Sequence, residues 1–219
     1  MLVSSIVVIL AYAFYLLPDI RDSLILKGSY LTARVVIFVS GSKIEVYGKK
    51  NIPKGSGILF VANHQSMFDI PSMVVSIPKI VGYIAKRELY RYPPLNFWLM
   101  LFGSIPINRA SLKESVIVIK KGIKKLERGK NILIFPEGTR SKSNKMRSFR
   151  GGSFRLAKAK GTSIVPVTIV NSHKVLKTRK NTIKVFIHKQ ISLDKMDKHQ
   201  LSKLPHRVQN IIQTKLKKA

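Results

Sequence analysis

Two short apolar runs constrain this chain more than any other feature: Ile132-Leu133-Ile134-Phe135 and Ile164-Val165-Pro166-Val167-Thr168-Ile169-Val170. Neither run alternates polar with apolar residues, and both are strand-length, as expected of strands covered on both faces. A sheet of that kind needs a helical layer on each side. Residues 43–47, 57–62, 79–85, 104–107, 131–135, 163–170 and 182–188 read as strands. Residues 111–128 read as a helix, with Ser111 and Glu114 forming a capping box and Gly129 just past the last turn. A second, shorter helix is expected over 151–160, stopped at Gly161. An amphipathic helix is expected from about Ser202, with Val208, Ile211, Ile212 and Leu216 on one side. The alternation predicts an α/β fold: a layered, mostly parallel or mixed sheet flanked by helices.

The N-terminus is different in kind. Residues 2–17 are apolar or small, and Pro18-Asp19 ends the run. As a helix it would reach about 24 Å, short of a hydrocarbon core of about 30 Å. A second apolar segment, 24–40, carries Lys27 and Arg34, which suit a helix near lipid headgroups. The pair reads as a two-helix, membrane-associating hairpin over 1–41, followed by a catalytic domain over 42–219. A signal-peptide apolar region, a single span and a core helix are the alternatives for the first run. A basic n-region and a clear cleavage site are missing from the first of these.

Charge narrows the partners. Lys and Arg total 40 against 10 Asp and Glu, a net charge of +30. Such a field favours anionic partners: nucleic acid, an anionic bilayer, or phosphorylated substrates. With no cysteine in the chain, thiol nucleophiles, disulfides and Cys-ligated zinc are excluded. The five histidines show no metal-ligand spacing, so no metal site is expected.

Chemistry is concentrated in two blocks. Asn63-His64-Gln65-Ser66-Met67-Phe68-Asp69 follows the strand ILFVA. Five positions separate His64 from Asp69, too many for one face of a regular helix, so the two meet only if His64 lies in a turn and Asp69 opens the helix. Pro71 supports that, because proline is tolerated in a first turn. A carboxylate on one imidazole nitrogen fixes the tautomer and leaves the other nitrogen free to accept a proton. No G-x-S-x-G elbow accompanies the pair. It therefore reads as a general base acting on a substrate hydroxyl, with local capping as the plain alternative. The second block, Phe135-Pro136-Glu137-Gly138-Thr139-Arg140-Ser141, ends the strand ILIF. Its turn is expected to expose Glu137, Thr139 and Arg140 at the same sheet edge as His64. Arg140 suits a phosphate clamp, and Arg109, after another strand-like run, suits a second.

In order, NHQSMFD, GSIPINR, FPEGTRS and IVPVTIVNS resemble the four blocks of the glycerolipid acyltransferase family, typified by bacterial 1-acylglycerol-3-phosphate acyltransferases. AKREL before the second block and FRGGSFRLA after the third extend the resemblance over about 48–172. The resemblance implies that His64 is the base on the acceptor hydroxyl and that Asp69 orients it. It implies that Arg109, Glu137, Gly138 and Arg140, with Lys86, form the glycerol-phosphate site, and that Pro166 shapes an acyl pocket. Asn108 stands where many members carry Asp, which leaves a carboxylate role there open. The implied reaction moves a fatty acyl chain from acyl-CoA or acyl carrier protein to the sn-2 hydroxyl of 1-acylglycerol 3-phosphate, a lysophospholipid acceptor. Glycerol 3-phosphate and other lysolipids are alternative acceptors. No cofactor is expected. The expected location is the membrane, on the cytoplasmic side of an inner membrane. A basic nucleic-acid-binding protein and a catalytically idle lipid-binding protein are the rival classes, and no nucleic-acid-binding signature supports the former.

Overall fold

The structure, a computed structural model, describes residues 17–108, 111–178, 180–193 and 196–219. The first apolar run, residues 2–17, lies outside them except for Leu17. Among the described residues one sheet of eight strands forms: β1 (Lys43–Tyr47), β2 (Ile58–Ala62), β3 (Val81–Lys86), β4 (Ile105–Ile107), β5 (Asn131–Ile134), β6 (Ser163–Val170), β7 (Thr182–Ile187) and β8 (Ile191–Ser192). Every expected strand is present within a residue or two of its predicted ends, and β8 is additional. The order is β1-β7-β6-β2-β5-β3-β4, with β8 also on β6. Strands β6, β2, β5, β3 and β4 are mutually parallel, whereas β7 and β8 run antiparallel to β6. The sheet is thus mixed but mostly parallel, and the carboxyl ends of five strands share one edge.

Alternate residues of the buried strands feed two cores, as the pleat requires. Phe60, Tyr83, Leu133 and Val165 pack with Met73 of α2 (Asp69–Ser76), with Ile77 just past its end, and with Leu99 of α3 (Pro93–Leu101). Leu59, Val61, Ile132 and Ile164 pack on the other side with Val118 and Leu126 of α4 (Leu112–Glu127) and Leu204, Val208 and Ile212 of α5 (Lys198–Lys218). Buried aliphatic side chains of this kind contribute about 1.5–3 kcal/mol each.

Three helical readings are corrected. Helix α1 (Pro18–Val39) begins at Pro18, six residues before the expected start, because proline at the first helical position needs no amide partner. Residues 151–160 form a 3-10 helix over Gly151–Lys158 rather than an α-helix. The paired Gly151-Gly152 at its start weakens α-helix formation. Helix α5 starts at Lys198, four residues before the expected start, behind a reciprocal capping box between Asp197 and Gln200, and it continues through Pro205. Helix α3 has no counterpart in the sequence reading.

Helix α1 buries Ile25, Ser29, Ala33 and Ile37, one side at four-residue spacing, and packs against α2 and β1. Its other sides expose Leu24, Leu31, Val35, Phe38 and Val39. Among the described residues, no helix is long and apolar enough to cross a membrane.

Candidate active site

The site is built at the carboxyl edge of the parallel strands, where ligands of open α/β sheets bind. Strand β2 ends at Ala62, and Asn63 then turns inward. Its amide donates to the carbonyl of Ile169 and accepts from the Ile169 N–H, both at 2.8 Å. A side chain thereby replaces the next rung of the β2–β6 ladder and releases the backbone into the loop that carries His64.

Asp69 is the first residue of α2 and is fully buried. His64 Nδ1 donates to Asp69 Oδ2 at 2.6 Å, and the same oxygen accepts the backbone N–H groups of Gln65 (2.7 Å) and Ser66 (2.9 Å). The other oxygen accepts a short hydrogen bond from Ser172 Oγ, at the end of the fourth sequence block. All four partners donate, so the carboxylate acts only as acceptor and the imidazole proton is held on Nδ1. Nε2 is left as the basic nitrogen. The ring stacks on Phe135, with centroids 4.1 Å apart and planes 17° from parallel, which sets its remaining torsion. His64 lies in the turn and Asp69 opens the helix, as their spacing predicts.

Glu137 departs from expectation. It is 3% exposed rather than displayed. One oxygen accepts the His64 N–H at 2.6 Å and the other the Arg147 N–H at 2.7 Å. Burial pushes its carboxyl above the usual range, and the two amide bonds pull it back. The carboxylate therefore joins the His64 turn to the loop after FPEGTRS. That loop is tied again by Ser141 N–H to the His64 carbonyl (2.8 Å) and Lys142 N–H to the Gln65 carbonyl (3.2 Å).

Thr139 and Arg140 are exposed, as predicted. Gly138 has φ +71°, a conformation that favours glycine, and the Arg150 guanidinium lies 3.0 Å from where a Cβ would be. Arg150 is thereby brought to this turn. Lys86 ends β3 and pairs with Glu88 at 3.1 Å. Arg109 lies outside the described residues. Pro166 is buried in β6 opposite Val61. An apolar cavity of about 200 Å³ lies elsewhere, between α1 and the sheet, lined by residues including Tyr30, Met73, Tyr83, Phe102 and Leu133. Pro166 is not part of its wall.

Sequence reasoning assigns no role to Ser172, Phe135 or Gln65. Gln65 accepts from the Ser172 N–H at 3.1 Å and donates to Asn144 at 2.8 Å, linking three loops behind the pair. The only signal for them is position: all three lie within or at the ends of the quoted blocks. Among the described residues, no cluster of acidic and histidine side chains could hold a metal ion.

Comparison with known proteins agrees with the sequence motifs. The acyltransferase family model matches residues 43–170. The chain is 30% identical over 188 residues to a 1-acyl-sn-glycerol-3-phosphate acyltransferase of Borreliella burgdorferi, covering 84% of this chain and 75% of that protein. It is 31% identical over 162 residues to a chloroplastic enzyme of the same name from Arabidopsis thaliana, covering 71% of this chain and 45% of that protein. The crystal structure of the 1-acyl-sn-glycerophosphate acyltransferase PlsC from Thermotoga maritima superposes with a TM-score of 0.80 at 26% identity, covering 92% of this chain and 82% of that one. With the motifs, the fold and the His–Asp pair in agreement, the chain belongs to the acyltransferase family.

Proposed function

We propose that the protein acylates the sn-2 hydroxyl of 1-acylglycerol 3-phosphate, making phosphatidic acid. The observation that carries this reading is the His64–Asp69 pair, with Nε2 left basic, in a chain of this family. The names borne by its relatives supply the acceptor. Nε2 of His64 takes the hydroxyl proton as the oxygen attacks the thioester carbonyl. The carbon–sulfur bond breaks, and the departing thiolate receives the proton back. Asp69 offsets the transient positive charge of the imidazolium. A correctly held base supplies on the order of 10²–10⁴ in rate, and co-binding of two substrates supplies a large further part.

Lys86, Arg109, Gly138 and Arg140 form the proposed glycerol-phosphate site, with Glu137 shaping it through the backbone it holds. Arg140→Ala should chiefly weaken use of the phosphorylated acceptor, raising its KM by about tenfold or more. Steady-state kinetics with each substrate varied in turn decide it. A defect confined to the acyl donor would refute the clamp. Pro166 is proposed for the acyl pocket as part of the β6 framework, and the apolar cavity beneath α1 offers room for a hydrocarbon tail.

The proposed division is a membrane-associating segment over 1–41 and a catalytic domain over 42–219, held on the cytoplasmic side of an inner membrane. Helix α1 supports this, exposing Leu24, Leu31, Val35, Phe38 and Val39 beside Lys27 and Arg34 on the sides that do not pack. Exposed lysines near an anionic surface add about 1 kcal/mol each. The test is acyl transfer in detergent from labelled palmitoyl-CoA or palmitoyl-acyl carrier protein to a panel of acceptors. Transfer to lysophosphatidic acid is expected, and transfer only to glycerol 3-phosphate would reassign the acceptor.

A further inference from the structure

Helix α4 carries an unusual outer face. Val118, Gly122 and Leu126 point into the core. The opposite side presents Lys113, Lys120 and Lys124 at helical spacing, all exposed. Between and beside them stand Leu112 (86% exposed), Val116 (45%) and Ile117 (51%). A merely solvated basic helix has no need of three neighbouring exposed aliphatics. The acids of the helix do not neutralise this stripe: Glu114 accepts the Asn108 N–H and pairs with Arg87, and Glu127 accepts from the backbone N–H of Lys160. No ion pair among the described residues involves the three lysines.

Position adds meaning. Asn108, which follows β4, and the first turn of α4 are tied together by hydrogen bonds, so the stripe starts at the carboxyl edge of the sheet. Strand β4 lies three interstrand steps from β2, about 14 Å, and His64 follows β2. Helix α4 also covers the side of the sheet opposite to α2, on which the apolar helix α1 packs. A membrane that receives α1 is thereby turned away from α4. The exposed residues are aliphatic rather than aromatic, unlike a base-stacking surface.

We propose that the Lys113–Lys124 face of α4 docks an acidic helical protein that carries the acyl group as a thioester, setting the donor's arm toward His64. Lysines meet its carboxylates, and Leu112, Val116 and Ile117 form the dry centre of the contact. The inference rests on the acyl-transfer reading above and specifies its donor.

The test uses the full chain in detergent, with palmitoyl-acyl carrier protein as probe. Binding is read on a sensor surface, and kcat/KM is read in parallel with that donor and with palmitoyl-CoA. K113E/K120E/K124E should weaken carrier binding by about thirtyfold or more and lower its kcat/KM in step, as charge reversal at a complementary interface does. Its kcat/KM with palmitoyl-CoA should change less than about twofold, which also reports that the variant is folded. Ile117→Asp should reproduce the selectivity more weakly. Unchanged carrier binding overturns the proposal, as does equal loss with both donors. Loss of sedimentation with phosphatidylglycerol vesicles in place of carrier binding also overturns it, making α4 a lipid face. A wild-type protein inactive with either donor would refute the proposed function instead. Carrier binding would still be measured on the sensor, and its dependence on the three lysines would decide the docking face.

Discussion

His64→Ala is expected to abolish acyl transfer while leaving the protein folded. The ring is held by one hydrogen bond to Asp69 and a stack on Phe135. Its removal takes away the imidazole bonded to Asp69. The loss should reach on the order of 10²–10⁴, the usual contribution of a positioned general base. The fold should tolerate the change, because the two backbone N–H groups and Ser172 Oγ continue to satisfy Asp69. Initial rates with labelled donor, alongside a thermal melt of both proteins, provide the measurement. More than about a tenth of wild-type activity, set against that range, would exclude His64 as the base.

Glu137→Gln should also be damaging, for a different reason. The carboxylate offers one oxygen to the His64 N–H and one to the Arg147 N–H. An amide has only one acceptor oxygen, so one buried backbone N–H would face an NH2 group. Leaving such a donor unpaired costs about 1–3 kcal/mol. The same change frees either the turn that carries His64 or the loop behind Arg140. Thermal stability and kcat should fall together, with kcat down by about tenfold or more, since a small misplacement of catalytic groups is costly. A residue that only contacted the acceptor phosphate would behave otherwise: KM for the acceptor would rise, with kcat and the melt unchanged. Kinetics and a melt on one preparation separate these cases.

These two residues also mark how far the sequence could be read. His64 and Asp69 were legible because a five-residue separation admits few geometries, and a proline fixed where the helix begins. Strands β2, β5 and β6 were legible because burial on both faces leaves a continuous apolar run. Glu137 was legible as part of the turn after β5 but not as a buried residue. Its partners are backbone amides 73 and 10 positions away, and a backbone N–H leaves no trace in residue identity. Helix α3 escaped because it opens on Pro93-Pro94 and mixes aromatics on both sides, exposing Phe97 and Met100 while burying Leu99. In α5, the apolar spacing was clear but the start, at Lys198, lies before the first of the spaced apolar residues. The capping box at Asp197 was the better signal.

The pairing of β1 with β7 bears on how the protein is made. Lys43 lies opposite Thr182 in a parallel register, with the central strands of the sheet reached by the chain in between. During synthesis β1 leaves the ribosome long before β7 exists, and closing so large a loop is slow. Helix α1, emerging earlier still, has Leu24, Leu31 and Phe38 without cover throughout that interval. A nascent chain in that state presents this apolar surface before its own sheet is complete. On this order of events the β1–β7 junction closes only after the central strands of the sheet have been made.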